Sequence, residues 1–274
     1  MSAVIWYYCL YFLVVIRCAN CHIIWLRKMK LHLTADYRSE TFFNPVYLFT
    51  GQLTAVELAT QYVHDNAPVT LPQDLFLPQL DEAQHLRLLQ SQIALLEQHQ
   101  AFFEQHQVMA LMRIDEVMAA TILASEFLLR KLLLLPFLVL DVSETFPQLA
   151  QGKNNPLLNA LSQNFRLSLS RFGAGKSPAT AVYDNLFTCL RLDKEFIHSI
   201  AARASFLPFI QAILDNYKSH ADHIFISGID DLAMLNKVAA LPDVYLHGNL
   251  FPTVKADALC ELVFPPNMLT SPRP

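Results

Sequence analysis

From residue 42 onward, short apolar runs alternate with longer amphipathic stretches. The short runs are Phe43–Leu48, Leu53–Leu58, Val108–Ile114, Phe137–Val142, Arg166–Ser170, Cys189–Leu192, His223–Ser227 and Val244–His247. They are four to seven residues long and rich in Val, Ile, Leu and Phe, the pattern of strands covered on both faces in a parallel sheet. The clearest helical stretch runs from Asp81 to His106, with Leu86, Leu89, Ile93 and Leu96 at 3-4-3 spacing. Asp81 followed by Gln84 predicts a capping box at its start. Gln98, Gln100, Gln105 and Gln107 predict a solvated outer face. Glu116–Leu135 and Phe206–Lys218 predict two further helices. About eight strands alternating with helices in one chain of this length predict an α/β fold, a (β/α)8 TIM-like barrel.

The ends of the chain read differently. Residues 3–16 (AVIWYYCLYFLVVI) are continuously apolar, and the run resumes at Ile23–Leu26 after Arg17, Asn20 and His22. Fourteen residues fall short of the roughly 20 that a spanning helix needs. Three readings of residues 1–28 stay open: a membrane anchor through residues 3–26, a start assigned upstream of Met29, or a buried first helix. Cys18-Ala19-Asn20-Cys21-His22 matches the C-x-x-C-H haem-attachment pattern, but no haem-sized domain follows it. The five cysteines show no framework spacing, which points to a reducing cytoplasm. Residues 265–274, rich in proline, predict a loose tail.

Composition narrows the function classes. The chain has 274 residues, of which 53% are hydrophobic and 16% charged, with a mean hydropathy of +0.29. Collagen-like, linker-like and disordered chains are excluded. A net charge of -4 argues against direct nucleic-acid binding, which needs a basic footprint. Gly175-Lys176-Ser177 resembles the end of a phosphate-binding loop, but Ser170 stands where its first glycine belongs and Pro178 follows, so no nucleotide site is expected.

In a barrel of this kind the chemistry sits at the C-terminal ends of the strands. Those positions hold Glu57, Arg113, Asp141 with Glu144, Ser170 with Arg171, Arg191 with Asp193, Ser227 with Asp230, and His247. Acidic and basic groups at successive strand ends predict a site, present or former, on one rim.

At these residues the chain resembles the EAL-domain family of cyclic-di-GMP phosphodiesterases, over about residues 42–264. Phe172-Gly173-Ala174-Gly175 through Leu190-Arg191-Leu192-Asp193-Lys194-Glu195-Phe196 is similar to the family's D-D-F-G-T-G…L-K-I-D-x-x-F block. Ile226-Ser227-Gly228-Ile229-Asp230, followed by Leu246-His247-Gly248-Asn249-Leu250, resembles E-G-V-E…Q-G-Y-L. Val56-Glu57-Leu58-Ala59 stands for the signature. Gly173, Gly175, Gly228 and Gly248 fall on motif positions, Gly51 fits the turn before the signature strand, and Gly152 is left as an ordinary turn residue.

The departures from the family decide what the resemblance implies. Members hydrolyse a phosphodiester with divalent metals held by carboxylates and an asparagine. Here Glu57 is kept and Arg113 stands for the asparagine. Asp141 replaces a longer glutamate, and Glu144 matches the second acid of that strand end. Ser170 and Arg171 stand for the paired aspartates, Arg191 for the lysine before Asp193, Ser227 and Asp230 for the two glutamates, and His247 for the glutamine. Gln61 replaces an arginine that contacts substrate phosphate. The resemblance therefore implies no catalytic residues, no cofactor, no metal and no cyclic-di-GMP binding. Two arrangements of the arginines stay open: Arg113 and Arg171 pair with Glu57, Asp141 and Asp193 in place of metal, or both swing out to solvent. A G-A-G loop, Leu186-Phe187-Thr188, Leu192–Ile197 and Gly228-Ile229-Asp230 are similar to degenerate, anti-flagellar members of the family. Those act as repressors of motility genes by binding the FlhD subunit of the flagellar master regulator. The alternative is an active or weakly active cyclic-di-GMP phosphodiesterase.

Overall fold

The computed structural model describes residues 37–64, 70–175, 180–241 and 243–270. Residues 1–28, with the apolar run and the C-x-x-C-H match, lie outside the described residues. Among the described residues no helix is long and apolar enough to cross a membrane.

The strands are β1 (Tyr37–Tyr47), β2 (Leu53–His64), β3 (Thr70–Pro72), β4 (Met109–Arg113), β5 (Leu138–Ser143), β6 (Arg166–Phe172), β7 (Cys189–Leu192), β8 (His223–Ser227), β9 (Tyr245–His247) and β10 (Val254–Lys255). All eight expected strands are present, with ends shifted by a few residues at most save for β1 and β2. β2, β4, β5, β6, β7, β8 and β9 run parallel in that order. β1 pairs with β9 antiparallel and also with β2, which closes an eight-stranded barrel. One strand of the barrel is thus reversed, where strict alternation predicts eight parallel strands. The cause is local: only Leu48–Gln52 separates β1 from β2, and Gly51 N donates to Leu48 O at 2.9 Å. So short a loop can join only antiparallel neighbours.

The principal helices are α1 (Glu82–Gln98), α2 (Gln100–His106), α3 (Glu116–Ala124), α4 (Glu126–Leu133), α5 (Pro156–Ser162), α6 (Lys194–Ala201), α7 (Phe206–Tyr217) and α8 (Leu232–Val238). Two expected helices are each broken once. The Asp81–His106 stretch breaks at His99, whose backbone leaves the helical region (φ -107°, ψ 14°). The Glu116–Leu135 stretch breaks at Ser125, which turns extended and caps α4 by accepting from Leu128 N. A serine at that place offers the backbone an alternative to continuing the helix. Within the tail, Asn267–Thr270 forms a helical turn.

The described residues form two compact units. The larger holds the barrel and residues 82–270. The smaller is built from residues 37–40, 60–64 and 70–81: β3 pairs antiparallel with the end of β2, setting Gln61 opposite Pro72, and the Tyr62 and Phe76 ring centroids lie 3.8 Å apart.

Inside the barrel an apolar layer of Val46, Ala55, Met109, Leu111, Val139, Cys189 and Phe225 packs with Tyr245. Burial raises the Cys189 thiol to about 12, so it stays protonated. Two glycines outside this layer are fixed by close approach. A Cβ on Gly248 would run into the Ile229 backbone, which bonds to His247 O and to Leu250 N. Gly152 is more than an ordinary turn residue: its φ is +53° and a side chain would meet the Asp184 carboxylate, which accepts from Lys153 N at 2.8 Å.

Candidate functional site

Strand periodicity builds the barrel mouth. Side chains two residues apart share a face, so the residue two positions beyond each apolar layer member also points inward. Ala55 leads to Glu57, Leu111 to Arg113, Val139 to Asp141, Cys189 to Arg191, Phe225 to Ser227 and Tyr245 to His247. The sequence thus writes one apolar layer and one polar layer on the same strands.

The polar layer is a ladder of ion pairs. Arg113 Nε donates to Asp141 Oδ2 at 2.6 Å, and Arg191 Nη1 lies 3.4 Å from the same oxygen. Arg191 Nη1 also bonds to Glu57 Oε1 at 2.8 Å. Glu57 Oε2 lies 3.2 Å from His247 Nε2 and accepts from Asn44 Nδ2 at 3.4 Å. Asp141 is 1% exposed, Arg191 6% and Arg113 11%. Burial alone would raise the Glu57 carboxyl, but the Arg191 guanidinium and His247 outweigh it and hold the group well below the usual carboxylate range.

The other rim residues are spent elsewhere. Arg191, not Arg171, stands beside both Glu57 and Asp141. Arg171 is an exposed residue with φ +59°, at a register shift between Leu169 and Phe172. Such a bulge re-aims the side chain that follows it. Asp193 caps α6, its Oδ1 accepting from Phe196 N at 2.8 Å. Ser170 Oγ donates to Val142 O at 3.1 Å. Glu144 is buried, its backbone N bonded to Ser170 O. Ser227 ends β8 opposite His247. Asp230 anchors a separate cluster, with Oδ2 2.8 Å from Lys194 Nζ and 3.6 Å from His198 Nε2, and Oδ1 accepting from Asn249 N at 2.9 Å. Burial would raise the Asp230 carboxyl, but Lys194 and the Asn249 amide pull it below its ordinary value. Reading from strand ends alone misses Asn44, Lys194, His198 and Asn249. Asn44 carried a signal, because it lies two residues before Val46 on the reversed strand.

These residues do not fit a divalent metal. Both oxygens of Glu57 and one of Asp141 already accept from cationic or amide donors. A guanidinium about 4 Å from a divalent cation would repel it by about 8 kcal/mol at an effective dielectric of about 20. The acceptors left over, Asp141 Oδ1 and Glu144 Oε2, fall far short of an octahedral set of hard oxygens. Held ionised well below the usual carboxylate range by an arginine, Glu57 is a weak base for activating water. What the mouth does is lock four strands together by charge.

The comparisons agree with this geometry. The EAL domain family matches residues 30–253. The chain is 35% identical over 227 residues to the "Anti-FlhC(2)FlhD(4) factor YdiV" of Salmonella paratyphi B, covering 83% of this chain and 96% of that protein. It is 34% identical over 227 residues to the protein of the same name in Salmonella typhi, with the same coverage. Among solved structures, that of the EAL-like domain protein YdiV superposes with a TM-score of 0.78 at 34% identity, over 85% of this chain and 99% of that one. A cyclic-di-GMP complex of the PaMucR phosphodiesterase shares the fold at a TM-score of 0.63 and 20% identity, over 81% of this chain and 94% of that one. With the signature strand, the glycine loop and the closed barrel all in place, the chain belongs to the EAL-domain family.

Proposed function

We propose that this protein is a catalytically silent EAL-domain regulator that represses motility genes by binding the flagellar master regulator through its FlhD subunit. The observation that carries the reading is the likeness to anti-FlhC(2)FlhD(4) factors along 96% of their length. The mouth supports it, because a barrel whose mouth carboxylates are tied to arginines is suited to act through its surface. The decisive experiment is co-purification of the full chain with FlhD, expected to give a stable complex that competes with operator DNA. A chain that fails to retain FlhD overturns the partner.

The competing reading, a cyclic-di-GMP phosphodiesterase, is tested by incubation with the dinucleotide and magnesium or manganese. No linear product is expected, and turnover would overturn the silent reading. Titration with cyclic-di-GMP is expected to give no heat, since Gln61 and the arginine-filled mouth replace the family's phosphate and metal contacts. We place the protein in the cytoplasm, where its partner works.

A further inference from the structure

Resting on that reading, we infer that FlhD docks in the groove between α6 and α7, and that it presents there an amphipathic helix with a carboxylate at the margin of its apolar face. Phe196, Ser199, Ile200 and Arg203 follow one another at helical spacing along α6 and just past its end, and α7 supplies Phe206 and Phe209. Together they line a groove of about 300 Å³. Ile200 and Phe206 are buried in its floor, whereas Phe209 is 47% exposed. The Phe196 and Phe209 ring centroids lie 6.1 Å apart.

The charges say what covers it. No carboxylate is among the lining residues. Arg203 is exposed and forms no ion pair among the described residues. Lys237 Nζ stands 5.9 Å from the centre of the Phe206 ring while bonded to Ala201 O. The groove is thus an aromatic floor with one exposed cation, Arg203, in its lining, which an apolar helix face edged by an acid would complement. Exposed aromatics and arginine in a concave patch are also the residue types that dominate binding energy.

The other exposed apolar face makes the contrast. On and just past α4, Phe127, Leu133 and Leu134 are exposed. The cations there are already paired, Arg130 with Glu126 at 2.5 Å and Lys131 with Glu97 at 2.9 Å, so nothing there calls for an acidic partner.

The test measures affinity of the full chain for purified FlhD by fluorescence anisotropy, using wild type, Phe209→Asp, Arg203→Glu and Leu134→Asp. Phe209→Asp is expected to weaken binding about 30-fold or more, the size of a buried aromatic anchor. Arg203→Glu should weaken it about 10-fold at low salt and less at high salt, where screening removes the charge effect. Leu134→Asp should bind as wild type does. Circular dichroism and thermal melts check that each variant folds, and amide hydrogen exchange on the wild-type complex should show protection over residues 196–210. If wild type binds FlhD and Phe209→Asp binds equally well, or protection falls on α4 instead, the groove assignment is overturned and the proposed function stands. If wild type does not bind FlhD, both are overturned.

Discussion

The barrel mouth and the α6–α7 groove are built from similar ingredients and behave in opposite ways. Both hold arginine beside residues of a strand end or helix. In the mouth, Arg113 and Arg191 meet Asp141 and Glu57 within 2.6 to 3.4 Å, so charge is cancelled inside the protein. In the groove, Arg203 is exposed among Phe196, Phe206 and Phe209 with no acid in the lining. Carboxylates on inward strand positions must be neutralised, and two guanidiniums do so here. Charge satisfied internally stabilises the fold; charge left open on a concave apolar surface is what the proposed partner would meet.

The sharpest way to break this contrast is Asp141→Ala, which removes the buried carboxylate that Arg113 and Arg191 share. It should destabilise the fold by about 3–5 kcal/mol, read as a shift in urea midpoint. A change under about 1 kcal/mol would mean that the ladder is not a structural element. Gly248→Ala comes next, since its Cβ has no room beside Ile229. The expected cost is about 1–3 kcal/mol by the same assay, and a neutral result would show that the β9 loop shifts freely.

The pH dependence of stability sharpens the mouth itself. Folding holds Glu57 well below its unfolded value of about 4.3, so the unfolded chain binds more protons as pH falls through that range. Its contribution is present above about pH 4.3 and is lost as pH falls through the lower native value. Glu57→Gln should therefore show a shallower loss of stability below about pH 5 than wild type. Identical acid-melting curves would remove Glu57 from the ladder. The smallest effect belongs to the exterior: Glu126→Ala breaks an exposed i,i+4 pair with Arg130 and should cost about 0.3–0.5 kcal/mol or less. A cost as large as that of Asp141→Ala would erase the distinction between inside and outside pairs.

Much of this was written in the order of residues. The eight strands, the placement of Glu57, Arg113, Asp141, Arg191 and His247 at their ends, and the glycines of the motifs all follow from runs and spacings, because period-two alternation fixes which side chains turn inward. The fate of individual rim residues was less legible. Asp193 was expected to pair with Arg113 or Arg171, and its bond to Phe196 N makes it the cap of α6 instead. Arg171 was expected beside the carboxylates, yet the bulge before Phe172 leaves it exposed and Arg191 fills that place. His99 and Ser125 interrupt apolar patterns that continue smoothly past them.

The sequence by itself determined the fold class and the family, since these depend on residue type and local spacing. Tertiary structure decided which charge meets which. It set Arg191 of β7 against Glu57 of β2, 134 residues away, reversed β1 so that Asn44 reaches the mouth, and opened an aromatic groove between two consecutive helices. Ion pairing and concavity arise only when distant segments close on one another, and no periodicity along the chain encodes the distance between them.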